Sequence, residues 1–207
     1  MTQTISLATT ARRERGAALL MTLIIVLALL IIGLSAARTA LNAERMARAE
    51  RDRHLAFQAA EAALIDAEHD IEGGGNPASE RAALFATGSV LGFDPDCGSG
   101  VANRRGLCAR LDPPAWQRVA LAAPEGNAAA SVAFGSFTGA SMPVGQGNLP
   151  VRLPRYVIEL VPFARAGEDA GQRRGNFYRI TAIGFGAREA TQVVLQSWYL
   201  KPSAEAP

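Results

Sequence analysis

Cys97 and Cys108 are the only two cysteines of the 207-residue chain, eleven positions apart and set among Gly98, Gly100 and Gly106. Such a pair can close a disulfide or carry redox chemistry. Redox-active pairs usually stand as Cys-x-x-Cys, and this spacing is wider. His54 and His69 are the only histidines, so two Cys and two His fall short of a four-ligand zinc site unless carboxylates join them. At their spacing, solvated helix histidines are the plainer reading than metal ligands. Asp94-Pro95-Asp96 and Glu168-Asp169 place carboxylates together in stretches of loop composition, as calcium loops do and as ordinary acidic loops also do. No G-x-S-x-G, no H-E-x-x-H and no Gly-rich phosphate loop after a strand is present. The residues therefore predict neither a catalyst nor a resident cofactor or metal.

Charge narrows the partners. The formal net charge is +2, and Arg12, Arg13 and Arg15 against Glu14 account for all of it. The rest of the chain is neutral, which leaves a nucleic-acid reading without an electrostatic footprint.

The elements that hold these residues begin with Ala17–Ala37, 21 residues without one charge, whose only polar side chains are Thr22 and Ser35. As a helix this run spans about 31 Å, the thickness of a bilayer core. The arginine cluster before it favours the cytoplasm, which puts the body on the far side, although Arg38 and Arg45 weaken the bias. There a disulfide between Cys97 and Cys108 is the default. A cleaved secretory signal is the competing reading, with Ser35-Ala36-Ala37 as its cleavage site, but its apolar region is normally about 7–15 residues long.

The residues after the apolar run favour an anchor. From Leu34 to Glu72 there is no Gly and no Pro, and strong helix formers dominate. Phe57, Ala60, Leu64, Ala67 and Ile71 recur at three- and four-residue steps, the stripe of a helix packed on something else. Gly73-Gly74-Gly75-Asn76-Pro77 then stops it. One helix is expected over about 17–72, with a transmembrane half (17–37) and an amphipathic continuation (38–72). Its charges are sorted, with Arg45, Arg48, Arg51 and Arg53 before Glu61, Asp66, Glu68, Asp70 and Glu72. A solvated face explains this. So do staggered parallel helices that set the basic band of one against the acidic band of the next.

Residues 73–207 form the expected head. The stretch 73–154 reads as irregular, with short apolar spots at Val132-Ala133-Phe134 and Val144. Arg155–Val161, Phe177–Phe185 and Ala190–Leu200 have strand composition, the last two joined by a turn at Gly186-Ala187-Arg188-Glu189. The fold class is α+β: a long helix packed on a small antiparallel sheet of three to five strands.

Three stretches carry a family resemblance: Arg15-Gly16-Ala17-Ala18-Leu19, Arg51-Asp52-Arg53 with Leu55–Leu64, and the strand pair around Tyr178–Thr181 and Val193–Ser197. The chain resembles the type IV pilins, and most closely the PilX-type minor pilins. The resemblance implies a pilin-like fold and a leader (1–16) cut by prepilin peptidase between Gly16 and Ala17, with Ala17 then N-methylated. It also implies insertion in the inner membrane with a periplasmic head, and later passage to a surface pilus. The implied partners are other minor pilins, the major pilin, the inner-membrane assembly machinery and a tip adhesin. Major pilins usually carry Glu at the fifth position after the cleavage glycine, where it neutralises a neighbour's terminal amine. Here that position is Met21, which suits an initiating or tip subunit better than a repeating one. The tip pseudopilins of type II secretion share this departure, although the chain is short for them. A membrane-tethered periplasmic enzyme or binding module is the alternative of a different class, and it lacks a convergent polar constellation.

Overall fold

The computed structural model describes residues 15–87, 90–124, 126, 129–162 and 176–201. The Arg12-Arg13-Glu14 part of the leader and the Glu168-Asp169 pair lie outside the described residues. The chain divides into two units, Met1–Arg48 and Ala49–Pro207, and a single helix, α1 (Arg15–Ile71, 57 residues), contributes to both.

In the first unit every large apolar side chain from Leu19 to Leu34 is more than half exposed. The segment has a window of mean hydropathy 3.1, and the helix is long and apolar enough to cross a membrane. The Thr22 side chain folds back on the helix. The Thr22 hydroxyl donates to the Leu19 carbonyl at 2.9 Å, so it adds no unpaired donor to an apolar surrounding.

The second unit contains the end of α1 and the head. At its C-terminus α1 is closed by glycines in the left-handed region, Gly73 (φ 112°) and Gly74 (φ 54°), and the Gly74 amide donates to the His69 carbonyl. There follow α2 (Glu80–Thr87), a 3-10 turn at Ala102–Arg104, β1 (Leu107–Ala109), α3 (Ala115–Arg118), β2 (Val132–Ala133), β3 (Arg155–Pro162), β4 (Asn176–Phe185) and β5 (Gln192–Lys201). The strands make one sheet in the order β1-β3-β4-β5, with β2 also pairing β3. The expected antiparallel β3-β4-β5 meander is present, but β1 joins β3 in parallel, so the sheet is mixed.

Strand alternation sorts the core into two layers. Tyr156, Ile158, Leu160, Tyr178, Ile180 and Ala182 face α1 and pack with Ala63, Ala67, Ile71, Phe85 and Phe93. Val157, Ile183 and Phe185 face the other way and pack with Cys97, Cys108, Ala115 and Leu121.

The helix stripe needs one correction. Ala60, Ala67 and Ile71 are fully buried and Leu64 is partly buried against the core, but Phe57 is 40% exposed and lies off the packing face. The buried line runs instead through Ala56, Ala59, Ala60, Ala63, Ala67 and Ile71. The reason is close approach: a Cβ at Gly184 would lie 2.1 Å from the Ala56 carbonyl oxygen. Only alanine-sized side chains fit between such surfaces, and a phenyl ring does not.

The stretch 73–154 is more ordered than its composition predicts. α2 begins with Ser79, whose hydroxyl accepts the Ala82 amide, followed by Glu80 in the first turn. β1, three residues long, has no pattern along the chain to show.

Candidate functional site

Three acids of α1 hold the helix to the head at three levels; two of them, Asp66 and Asp70, leave the solvated face expected of the charge pattern, whereas Arg45, Arg48, Arg51, Arg53, Glu61 and Glu72 stay exposed on it. Asp52, Asp66 and Asp70 are buried, at 7, 3 and 2% exposure. Their spacing of 14 and 4 residues returns each to the alanine face of the helix.

At the first level the Asp52 carboxylate accepts the Ala187 amide at 2.6 Å, the Thr191 hydroxyl at 2.6 Å and the Arg188 guanidinium at 2.9 Å. One carboxylate thus fixes the β4–β5 turn. Burial pushes this carboxyl up, and the bonds from Thr191, Arg188 and the turn amides outweigh it, so its pKa falls below the usual 3.8. At the second level Asp66 accepts the Gly135 amide at 2.7 Å and the Thr138 hydroxyl. Here burial wins over those two bonds, with the Asp70 charge adding to it, and the pKa is raised.

At the third level Asp70 takes Arg81 through two guanidinium nitrogens, at 2.8 and 2.7 Å, and accepts the Tyr156 hydroxyl at 2.9 Å. Arg81 spends its other terminal nitrogen on the Asn103 and Arg105 carbonyls and lies 3.7 Å from the centre of the Phe137 ring. A buried pair is tolerable when its remaining donors and acceptors are satisfied in this way. Burial, and then the Asp70 charge, hold the Tyr156 phenol well above its ordinary value. The end of β5 adds a fourth tie. Lys201 donates to the Ile71 carbonyl, and Tyr199 donates to Glu72, a bond that with burial raises the Tyr199 pKa to about 12.

On the second sheet face Cys97 and Cys108 are joined in a disulfide. Closing eleven residues contributes about 3 kcal/mol in the chain-entropy account. It pins the loop 97–106, and Cys108 itself belongs to β1, which carries the bridge onto the sheet. Glu159 of β3 accepts the Ala115 amide at 2.8 Å and binds Arg179 of β4 through both oxygens, which ties α3 to the same layer.

The remaining singled-out residues do not converge. His54 pairs with Glu50 at 3.1 Å on the exposed helix surface, and His69 is exposed. Asp94 lies 3.9 Å from Arg104. Among the described residues no three of His, Cys, Asp and Glu are grouped to hold a metal ion. Gly16 and Ala17 begin the exposed part of α1, and Met21 stands on its bare surface at 68% exposure. Sequence reasoning missed Asp52, the Arg81–Tyr156 cluster around Asp70, and Arg155 of β3, whose guanidinium donates to the buried Ser131 hydroxyl at 2.8 Å. Their partners lie far along the chain, and no local signal marks them.

An N-terminal helix with a bare apolar half, and a second half clamped to a small sheet domain by its own acids, is the build of a pilin-like subunit. Residues 15–64 match the PilX N-terminal family, and residues 74–201 match the family described as type IV pilus assembly protein PilX C-term. The chain belongs to the PilX family of type IV pilus assembly proteins. No curated protein and no solved structure matches it.

Proposed function

We propose that this protein is a non-catalytic minor pilin that helps to start pilus assembly and resides at or near the pilus tip. The observation that carries the reading is Met21. In the pilin family the residue five positions after the cleavage glycine is usually a Glu that neutralises the amine of an adjoining subunit in the apolar filament core. Met21 supplies no charge, and an unpaired ammonium there is costly. The next acid on the helix, Glu44, is 23 residues further on and engaged by Arg48. A subunit of this kind does not repeat favourably along the shaft.

In this reading prepilin peptidase cuts after Gly16 and Ala17 is methylated. The protein waits in the inner membrane with its head in the periplasm. The apolar half of α1 then leaves lipid for the filament core, where the gain comes from helix packing, since lipid tails are as apolar as leucine. Its neighbours are other minor pilins, the major pilin and the assembly machinery, with a tip adhesin as a further partner.

Deleting the gene tests this. The number of surface pili should fall far more than their length, and immunogold should label ends. Met21→Glu should lower piliation or leave it unimproved, because at the leading end no amine meets the new carboxylate. Even labelling along shafts, with full assembly of Met21→Glu, would make this an ordinary shaft subunit.

A further inference from the structure

Among the described elements β5 is an edge strand that pairs only with β4. The register between them runs unbroken through ten pairs, from Asn176–Lys201 to Phe185–Gln192, with no bulge. From Gln192 to Leu200 there is no charge, no Pro and no Gly. Folded proteins guard edges of this length with lysines, prolines, bulges or a covering segment. The one charge on the strand, Lys201, is turned back onto the Ile71 carbonyl.

The outer face of the strand is also bare. Val194, Trp198 and Leu200 are 49, 57 and 42% exposed. They share a sheet face with Thr181, Ile183 and Phe185 of β4, which are buried. The layer that covers this face over β3 and β4 therefore stops before β5. Arg179 reaches to 5.7 Å from the Trp198 ring centre, but its guanidinium is committed to Glu159.

We infer that β5 receives an additional strand, an uncharged extended segment donated by a different polypeptide of the filament. A row of open backbone donors and acceptors is matched in full only by another strand, and Val194, Trp198 and Leu200, with Gln196 between them on the same face, call for a mainly apolar face on the incoming one.

Fold polarity argues against a second copy paired β5 to β5 about a two-fold axis as the donor. Residues 56–71 of α1 run in the direction of β5: Ala56 meets Gly184, the pairing partner of Val193, at one end, and Ile71 receives Lys201 at the other. Two β5 strands paired about a two-fold axis are antiparallel, which sets these helical residues of the two copies in opposite directions. Subunits drawn from one membrane into one filament share a direction. The identity of the donor thus rests on the proposed place in a filament, whereas the open edge does not.

The test is photo-crosslinking of the full chain in its own cells. A benzophenone side chain replaces Trp198 or Val194, with Leu111 as an exposed control, and the adducts are mapped by mass spectrometry. The expected result is adducts at 194 and 198, absent at 111, to one uncharged extended segment of a different pilus polypeptide. With the benzophenone at 198, Val194→Lys should cut the yield about tenfold, a difference of about 1.4 kcal/mol in association.

No adduct overturns the inference. So do equal adducts at Leu111, adducts joining two copies, adducts to any other part of the same chain, and adducts to a helical segment. Piliation of the deletion strain scores the filament reading separately. Missing adducts where piliation depends on the gene overturn strand addition alone. A heterologous strand adduct where piliation does not depend on it overturns the filament reading alone.

Discussion

Gly184 of β4 faces the backbone of Ala60 in α1: a Cβ built on Gly184 would lie 2.4 Å from the Ala60 amide nitrogen and 2.1 Å from the Ala56 carbonyl oxygen. Neither atom can move without shifting the helix, so glycine at this position sets the spacing between α1 and the sheet.

Gly184→Ala should therefore cost about 1–3 kcal/mol through overpacking against backbone. Gly126→Ala, with nothing within 4 Å of the added carbon, is the matched control and should be near neutral. Thermal unfolding of the detergent-solubilised chain checks the pair. Equal midpoints for both variants would show that the helix and sheet are not held at this distance.

Removing one partner of the Asp70–Arg81 pair should cost about 3–5 kcal/mol, because the other charge is left buried and unpaired. Asp70→Asn and Arg81→Met should each lower stability by this order. The double variant should cost much less than the two losses added together. A double-mutant cycle by denaturant unfolding measures this, and additive losses would mean that the two side chains act independently.

Asp52 and Asp66 should give opposite pH signatures. The folded pKa of Asp52 lies below 3.8, so its contribution is present above 3.8 and lost as pH falls through the folded value. The folded pKa of Asp66 lies above 3.8, so its contribution is complete below 3.8 and lost as pH rises through the folded value. Asp52→Asn should flatten the loss of stability on the acid side. Asp66→Asn, whose amide can still serve Gly135 and Thr138, should flatten the change above pH 3.8 and cost less at neutral pH. Unfolding curves across pH 2–7 (about the carboxylate range) distinguish the two, and parallel shifts in both variants would contradict the assignment.

Processing supplies a covalent check. Coexpression with prepilin peptidase should shorten the chain by the 16 residues that end at Gly16, and replacing Gly16 with a bulkier residue should block this. Intact-mass measurement reads the outcome. A cut near Ala37 in assembled protein would favour a secretory signal.

Much was legible along the chain because it rests on local pattern. An uncharged run of 21 residues can only be satisfied as a helix in an apolar surrounding, and a Gly-free, Pro-free continuation extends that helix until Gly73 ends it. Strand composition marked β3, β4 and β5, and two cysteines beyond a membrane span pointed to the disulfide that joins them. The helix stripe through Ala60, Leu64, Ala67 and Ile71 was legible too, and of that stripe the tertiary structure decided only how it continues at positions 56 and 57. Periodicity admits Phe57 or Ala56 equally, one residue and about 100° apart, and the close approach of Gly184 selects the alanine line. The tertiary structure also turned Asp66 and Asp70 from members of a sorted charge pattern into internal anchors and added Asp52 to them, because their partners stand 11 to 139 residues away and no local signal reports them. The parallel entry of β1 and the edge position of β5, which pairs only with β4 among the described elements, were hidden for the same reason: strand order and strand coverage depend on contacts between distant segments, and composition along one segment does not record them.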